Sequence, residues 1–191
     1  AVLAYTRAAN KDPSVSHLFF LGYAQIKNDL PEVALGYYDQ ILEKNAFFYP
    51  ALAYQGVAHD KAGRYDEALR HFRRALAYNP SYLPAYFHMG ITFVNTKEYE
   101  RSIESFQKVI ALDPTESAAY YNIACCYSLM GDVDQANEWL RRSVEKGFHD
   151  YLQDKGPDVL HGIRQSGKLE DDTVSALRHA LEQYNASGSW A

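Results

Sequence analysis

Residues 49–116 carry one pattern written twice, with a distance of 34 residues between the copies. From Pro50 the chain reads PALAYQGVAHDKAGRYDEALRHFRRALAYNP, and from Pro84 it reads PAYFHMGITFVNTKEYERSIESFQKVIALDP. Gly56 falls on Gly90, Ala68 on Ser102, Phe72 on Phe106, and Pro80 on Pro114. A fixed period of this length marks a unit that cannot bury its apolar face alone and must stack on copies of itself. Within each copy the apolar residues recur at helical spacing in two runs separated by a short turn, so the unit is a pair of amphipathic helices.

A 34-residue pair of helices closed by a proline resembles the tetratricopeptide repeat family. The resemblance implies an all-α fold, a right-handed superhelical solenoid of antiparallel helix pairs. Four full repeats are expected at 15–48, 49–82, 83–116 and 117–150. Residues 1–14 are expected to supply the second helix of an incomplete leading repeat, ended at Lys11-Asp12-Pro13, and 151–191 a loop-rich link and a C-terminal capping helix. The eighth place of each repeat holds Gly22, Gly56, Gly90 and Ala124, and the twentieth holds Ala34, Ala68, Ser102 and Ala136. Small residues at these two places let the helices of one pair cross closely. The twenty-fourth place holds Tyr38, Phe72, Phe106 and Leu140, and the fourth holds Leu18, Leu52, Tyr86 and Tyr120, a stripe that reads as core. The chain departs from the family at Gln25 and His59, where tyrosine is common, at Gln55, where leucine is common, and at Ala46 and Phe48, where the closing proline is missing.

Punctuation agrees with this register. Gly63 and Gly131 close first helices, since glycine accepts the left-handed conformation that ends a helix. Asp66, Glu100 and Asp134 open second helices near their positive ends, and Pro31 takes an opening position in the first repeat. Near the other end, Gly147-Phe148-His149-Asp150 and Lys155-Gly156-Pro157 read as a loop-rich link, followed by a short helix over 158–165. Val174, Leu177, Leu181 and Tyr184 then make one apolar stripe over 172–185. That helix is expected to cap the solenoid, or to dock into a groove of its own chain or of a second copy. Because the pattern opens mid-repeat at Ala1, the chain reads as a processed protein or a fragment, and Gly188-Ser189-Trp190-Ala191 is set aside from the fold.

Composition narrows the possible functions. A 47% hydrophobic, 14% aromatic chain of 191 residues has ample material for a core and is too apolar for disorder. A net charge of −5 argues against nucleic acid as the main ligand, and the basic run Arg70–Arg74 is accounted for as a solvated helix face. Cys125 and Cys126 are adjacent and cannot pair in an ordinary disulfide. No stretch approaches 18 consecutive apolar residues, so no membrane span is expected. The sequence has no Gly-rich phosphate loop, HExxH or CxxC, and its seven histidines are dispersed. His59 reads as packed inside its repeat and Cys126 as a small buried residue. Cys125 with His88 one repeat back could be drawn as nucleophile and base, but nothing in the sequence activates the thiol. No catalysis, cofactor or metal is expected.

Function is therefore sought on the concave face. In the family, the second, fifth, ninth, twelfth and thirteenth places of the first helix face a ligand. Carried over, the fifth and ninth places are Phe19 and Tyr23, Ala53 and Val57, Phe87 and Ile91, Tyr121 and Cys125, an apolar strip. Lys27, Asp60, Lys61 and Asn95 supply its polar edge. The Lys, Asn and Arg set with which some members hold acidic chaperone tails is missing at the corresponding places, which argues against a carboxylate clamp. The resemblance implies a protein-binding scaffold or adaptor that receives an amphipathic helix or a hydrophobic segment. Alternatives are a regulatory or substrate-recruiting part of a larger enzyme, and a module that self-associates through its terminal helices.

Overall fold

A computed structural model describes residues 13–155, all of them in helices or the short turns between them. The helices are α1 (Pro13–Lys27), α2 (Pro31–Lys44), α3 (Tyr49–Lys61), α4 (Tyr65–Tyr78), α5 (Leu83–Asn95), α6 (Tyr99–Leu112), α7 (Ser117–Met130) and α8 (Val133–Lys155). They form four pairs, α1–α2 to α7–α8, and each helix packs on its neighbours in sequence. Two of the expected boundaries move. α1 begins at Pro13, two residues before the expected start of the first repeat at 15, which suits a residue whose missing N–H is not needed in the first helical turn. Residues 147–155, expected as the start of a loop-rich link, continue α8, so Gly147 does not break that helix. The expected helices over 1–12, 158–165 and 172–185 lie outside the described residues.

The close crossing within each pair is measurable. A Cβ added to Gly22 would lie 2.7 Å from the ring of Tyr38, and one added to Gly56 or Gly90 would lie 2.6 Å from Phe72 or Phe106. These three rings are fully buried. In the third repeat the twentieth-place Ser102 adds a polar tie, donating its hydroxyl to the carbonyl of Gly90 at 2.9 Å, while the Cys126 thiol reaches the Ser102 oxygen at 3.3 Å. A buried serine is tolerated here because its hydrogen bond is made.

Turns between helices repeat as faithfully as the core. Asp29, Gly63, Lys97 and Gly131 stand 34 residues apart, and all four have left-handed φ between 59° and 82°. Two of the four are thus not glycine, and they carry the strain that glycine avoids. At the junction between pairs, Asn45, Asn79 and Asp113 each accept, on a side-chain oxygen, the backbone N–H two residues on, at 2.9 to 3.1 Å. That local bond turns the chain into the next helix.

Candidate functional site: the concave face

First helices α1, α3, α5 and α7 line the concave face, but they do not stand equally close. α1 packs directly on α3, and α3 on α5, whereas α5 and α7 meet less closely. The reason lies in the side chains between them. Phe19 is only 4% exposed, its ring edge to face with Tyr38 at 5.4 Å, Phe48 at 6.4 Å and Tyr54 at 4.8 Å. Val57 is 8% exposed and belongs to the same core cluster. Expected as ligand contacts, Phe19 and Val57 are instead core residues: Tyr54 of α3 lies over the seam and fills it.

Further along, the same places remain half-buried. Phe87 and Ile91 of α5, and Tyr121 and Cys125 of α7, all keep part of their surface in solvent. Phe87 is steadied from below by Phe106 at 5.4 Å and from the side by His88 at 6.0 Å. On the same helix, Leu129 in the last turn of α7 is 57% exposed, at the thirteenth place where earlier repeats carry Lys27, Lys61 and Asn95. Tyr23, on α1, is half-buried against Tyr54 at 5.9 Å.

The expected polar edge is used largely to join repeats. Asp60 accepts the hydroxyl of Thr92 at 2.7 Å, and the Asn95 amide reaches both of its carboxylate oxygens at 3.3 Å, so α3 is tied to α5. Lys61 lies 3.8 Å from Asp29, and the Lys27 ammonium sits 5.3 Å from the ring centre of Tyr23. Phe87 and Ile91 on α5, and Tyr121 and Cys125 on α7, are each left partly open. The structure assigns Asp60 and Asn95 to inter-repeat hydrogen bonds and leaves Tyr23 and Lys27 at the far end.

The sixth place was not singled out in the sequence as a packing position. Tyr54 and His88 occupy it and form a bridge of rings, Tyr54 to His88 at 6.1 Å, with His88 stacked on Phe72 at 6.2 Å. Burial pushes the Tyr54 hydroxyl up to about 12. Burial, with Lys27 nearby, brings His88 down to about 4, so at neutral pH the file of rings is uncharged. An aromatic residue at the same place in three successive repeats, Phe20, Tyr54 and His88, was the available signal. His59 is packed as expected: it stacks on His71 at 4.9 Å, and its Nδ1 accepts the Arg64 Nε–H at 2.9 Å. Arg64 also forks onto Glu32 of the preceding repeat and holds that carboxyl below its usual range.

Among the described residues no group of three or more His, Cys, Asp or Glu could hold a metal ion, and no helix is long and apolar enough to cross a membrane.

Family models described as the tetratricopeptide repeat match residues 55–117 and 105–136. A crystal structure of MamA is 26% identical, with a TM-score of 0.62 over 76% of this chain and 85% of that one. Another crystal structure of MamA is 25% identical, with a TM-score of 0.63 over 81% and 84%. A thermophilic TPR protein of Thermus thermophilus is 21% identical at a TM-score of 0.63 over 74% and 79%, a likeness of fold alone. Curated relatives include the ATP synthase subunit alpha of Legionella pneumophila (strain Lens), 31% identical over 48 residues. That match spans 25% of this chain and 9% of the subunit.

Proposed function

We infer from a chain built of tetratricopeptide repeats that it is a non-enzymatic scaffold for protein–protein interaction, and that its partner binds in the α5–α7 half of the concave face. The observation that carries this reading is the difference in burial along the strip. Phe19 and Val57 are closed off by neighbouring rings, whereas Phe87, Ile91, Tyr121 and Cys125 keep open surface between two helices that meet loosely. An apolar strip of this kind suits the buried face of an amphipathic helix, whose anchors recur every three or four residues. With Leu129 in place of a cation at its end and uncharged rings behind it, the strip has little to offer a carboxylate.

A library of 14-residue amphipathic helices selected against the whole chain tests the reading. Selected peptides should protect Phe87 and Tyr121 from solvent, and Phe87→Ala or Tyr121→Ala should weaken them at least tenfold. Peptides indifferent to both changes would place binding elsewhere.

A further inference from the structure

A second apolar surface lies outside the groove, on the edge where each helix pair passes to the next. Phe47 is 66% exposed, Tyr78 47% and Leu112 41%. The rings of Phe47 and Tyr78 meet edge to face at 5.3 Å although they come from successive pairs. Leu112 stands 34 residues after Tyr78, at the same place in the next pair, and continues the row. Arg74 precedes Tyr78 by four residues and Lys108 precedes Leu112 by four, so each basic side chain shares a helix face with its apolar neighbour. Both are exposed. An apolar row with a basic row beside it is distinctive in a chain whose net charge is −5.

The last helix differs from the second helices before it in length. α2, α4 and α6 are 14 residues long and end at this edge, whereas α8 has 23 residues and runs past the corresponding place by about 13 Å. Thirty-six residues follow Lys155. Within them, Glu170-Asp171-Asp172 immediately precedes the stripe Val174, Leu177, Leu181 and Tyr184. Residues 170–185 hold four carboxylates, Glu170, Asp171, Asp172 and Glu182, against the single Arg178. The 16 residues between Lys155 and Asp172 can span about 50 Å, several times the roughly 10 Å between packed helices.

We propose that residues 170–185 dock on the edge formed by Phe47, Tyr78 and Leu112 of the same chain, with their acidic opening turn against Arg74 and Lys108. The apolar stripe covers the exposed row, and the carboxylates meet the basic row. Covalent attachment through these 16 residues gives the segment an effective concentration on the order of millimolar, so a contact too weak to hold a free peptide is still occupied. The concave strip stays open to its partner, because the edge lies outside it.

Disulfide trapping in the full chain tests the proposal. In a Cys125→Ser background, Leu112→Cys with Leu177→Cys should oxidise to a product of monomer mass, in several-fold higher yield than Val33→Cys with Leu177→Cys. Val33 is equally exposed but sits at the start of α2, on the opposite edge. Equal yields, no bond, or a product of dimer mass would overturn the proposal, the last by assigning the edge to a second copy. A surface variant that leaves the core untouched gives a second reading. Glu170→Lys with Asp171→Lys and Asp172→Lys should raise amide hydrogen exchange in the last turns of α4 and α6 at least threefold, and unchanged exchange would contradict docking. Vesicles containing anionic phospholipid complete the test. If the whole chain sediments with them, and Arg74→Glu with Lys108→Glu abolishes this, the edge is a lipid surface and the proposal fails; no sedimentation supports it.

Discussion

The two halves of the solenoid use the same helix pair to different ends. In α1–α4 the concave seam is filled by the chain's own rings, with Phe19 held among Tyr38, Phe48 and Tyr54. In α5–α8 the equivalent Phe87 rests on Phe106 and keeps one side in solvent. A repeat therefore fixes where a side chain starts, and its neighbours decide whether it becomes core or contact surface. An aromatic residue at the sixth place closes the seam, as Tyr54 does; α7 carries Asn122 there, and beside it the seam stays open.

The largest effect should come from cutting into the filled half. Phe19→Ala should cost about 3–5 kcal/mol, as other buried aromatic truncations do, while the half-open Phe87→Ala should cost less than half as much. Denaturant unfolding of both variants measures this, and equal losses would erase the distinction between the halves. Next come the helix crossings, which the halves share. Gly56→Ala and Gly90→Ala each push a methyl group to 2.6 Å from a buried ring and should cost about 1–3 kcal/mol, by similar amounts in both places. A large inequality would mean that the shared core differs as much as the groove does.

Acid should act through two histidines that burial keeps neutral, one of which, His88, also joins the halves. His71 and His88 are both lowered to about 4, chiefly by burial. The unfolded chain binds their protons near the ordinary histidine value of about 6.5, so it holds more protons than the folded chain between that pH and 4. Stability should be level above about pH 6.5 and fall as pH drops towards 4, and His88→Phe should flatten part of that slope. A slope unaffected by His88→Phe would show that this histidine is not kept neutral by the fold. The smallest effect is a gain. Lys97→Gly removes a left-handed non-glycine residue at φ 63° and should stabilise by about 1 kcal/mol, whereas Asp29→Gly also removes the neighbour of Lys61 and should gain less. Thermal melts compare them directly.

These contrasts mark where the sequence was legible. The crossings at Gly22, Gly56 and Gly90, and the rings opposite them, were readable because close approach leaves a narrow choice of residues at fixed spacing. The left-handed turns were readable at Gly63 and Gly131 but not at Asp29 and Lys97, where the position in the repeat imposes a conformation that the residue type does not announce. Phe19 was misread as contact surface because its burial depends on Tyr54, a residue on another helix, and Val57 because it joins the same core cluster. The end of α8 was misread for a different reason: Gly147 lowers helix propensity without forbidding a helix, and the chain continues as α8 to Lys155.

The central claim is that partner contact is confined to the α5–α7 strip. Its most direct measurement is the affinity of one selected amphipathic peptide for the whole chain and for Phe87→Ala, Tyr121→Ala and Tyr23→Ala, with the melting temperature of each variant as the control for folding. The account predicts at least tenfold weakening for the first two and less than threefold for Tyr23→Ala. Equal weakening by all three, or loss only with Tyr23→Ala, would contradict it.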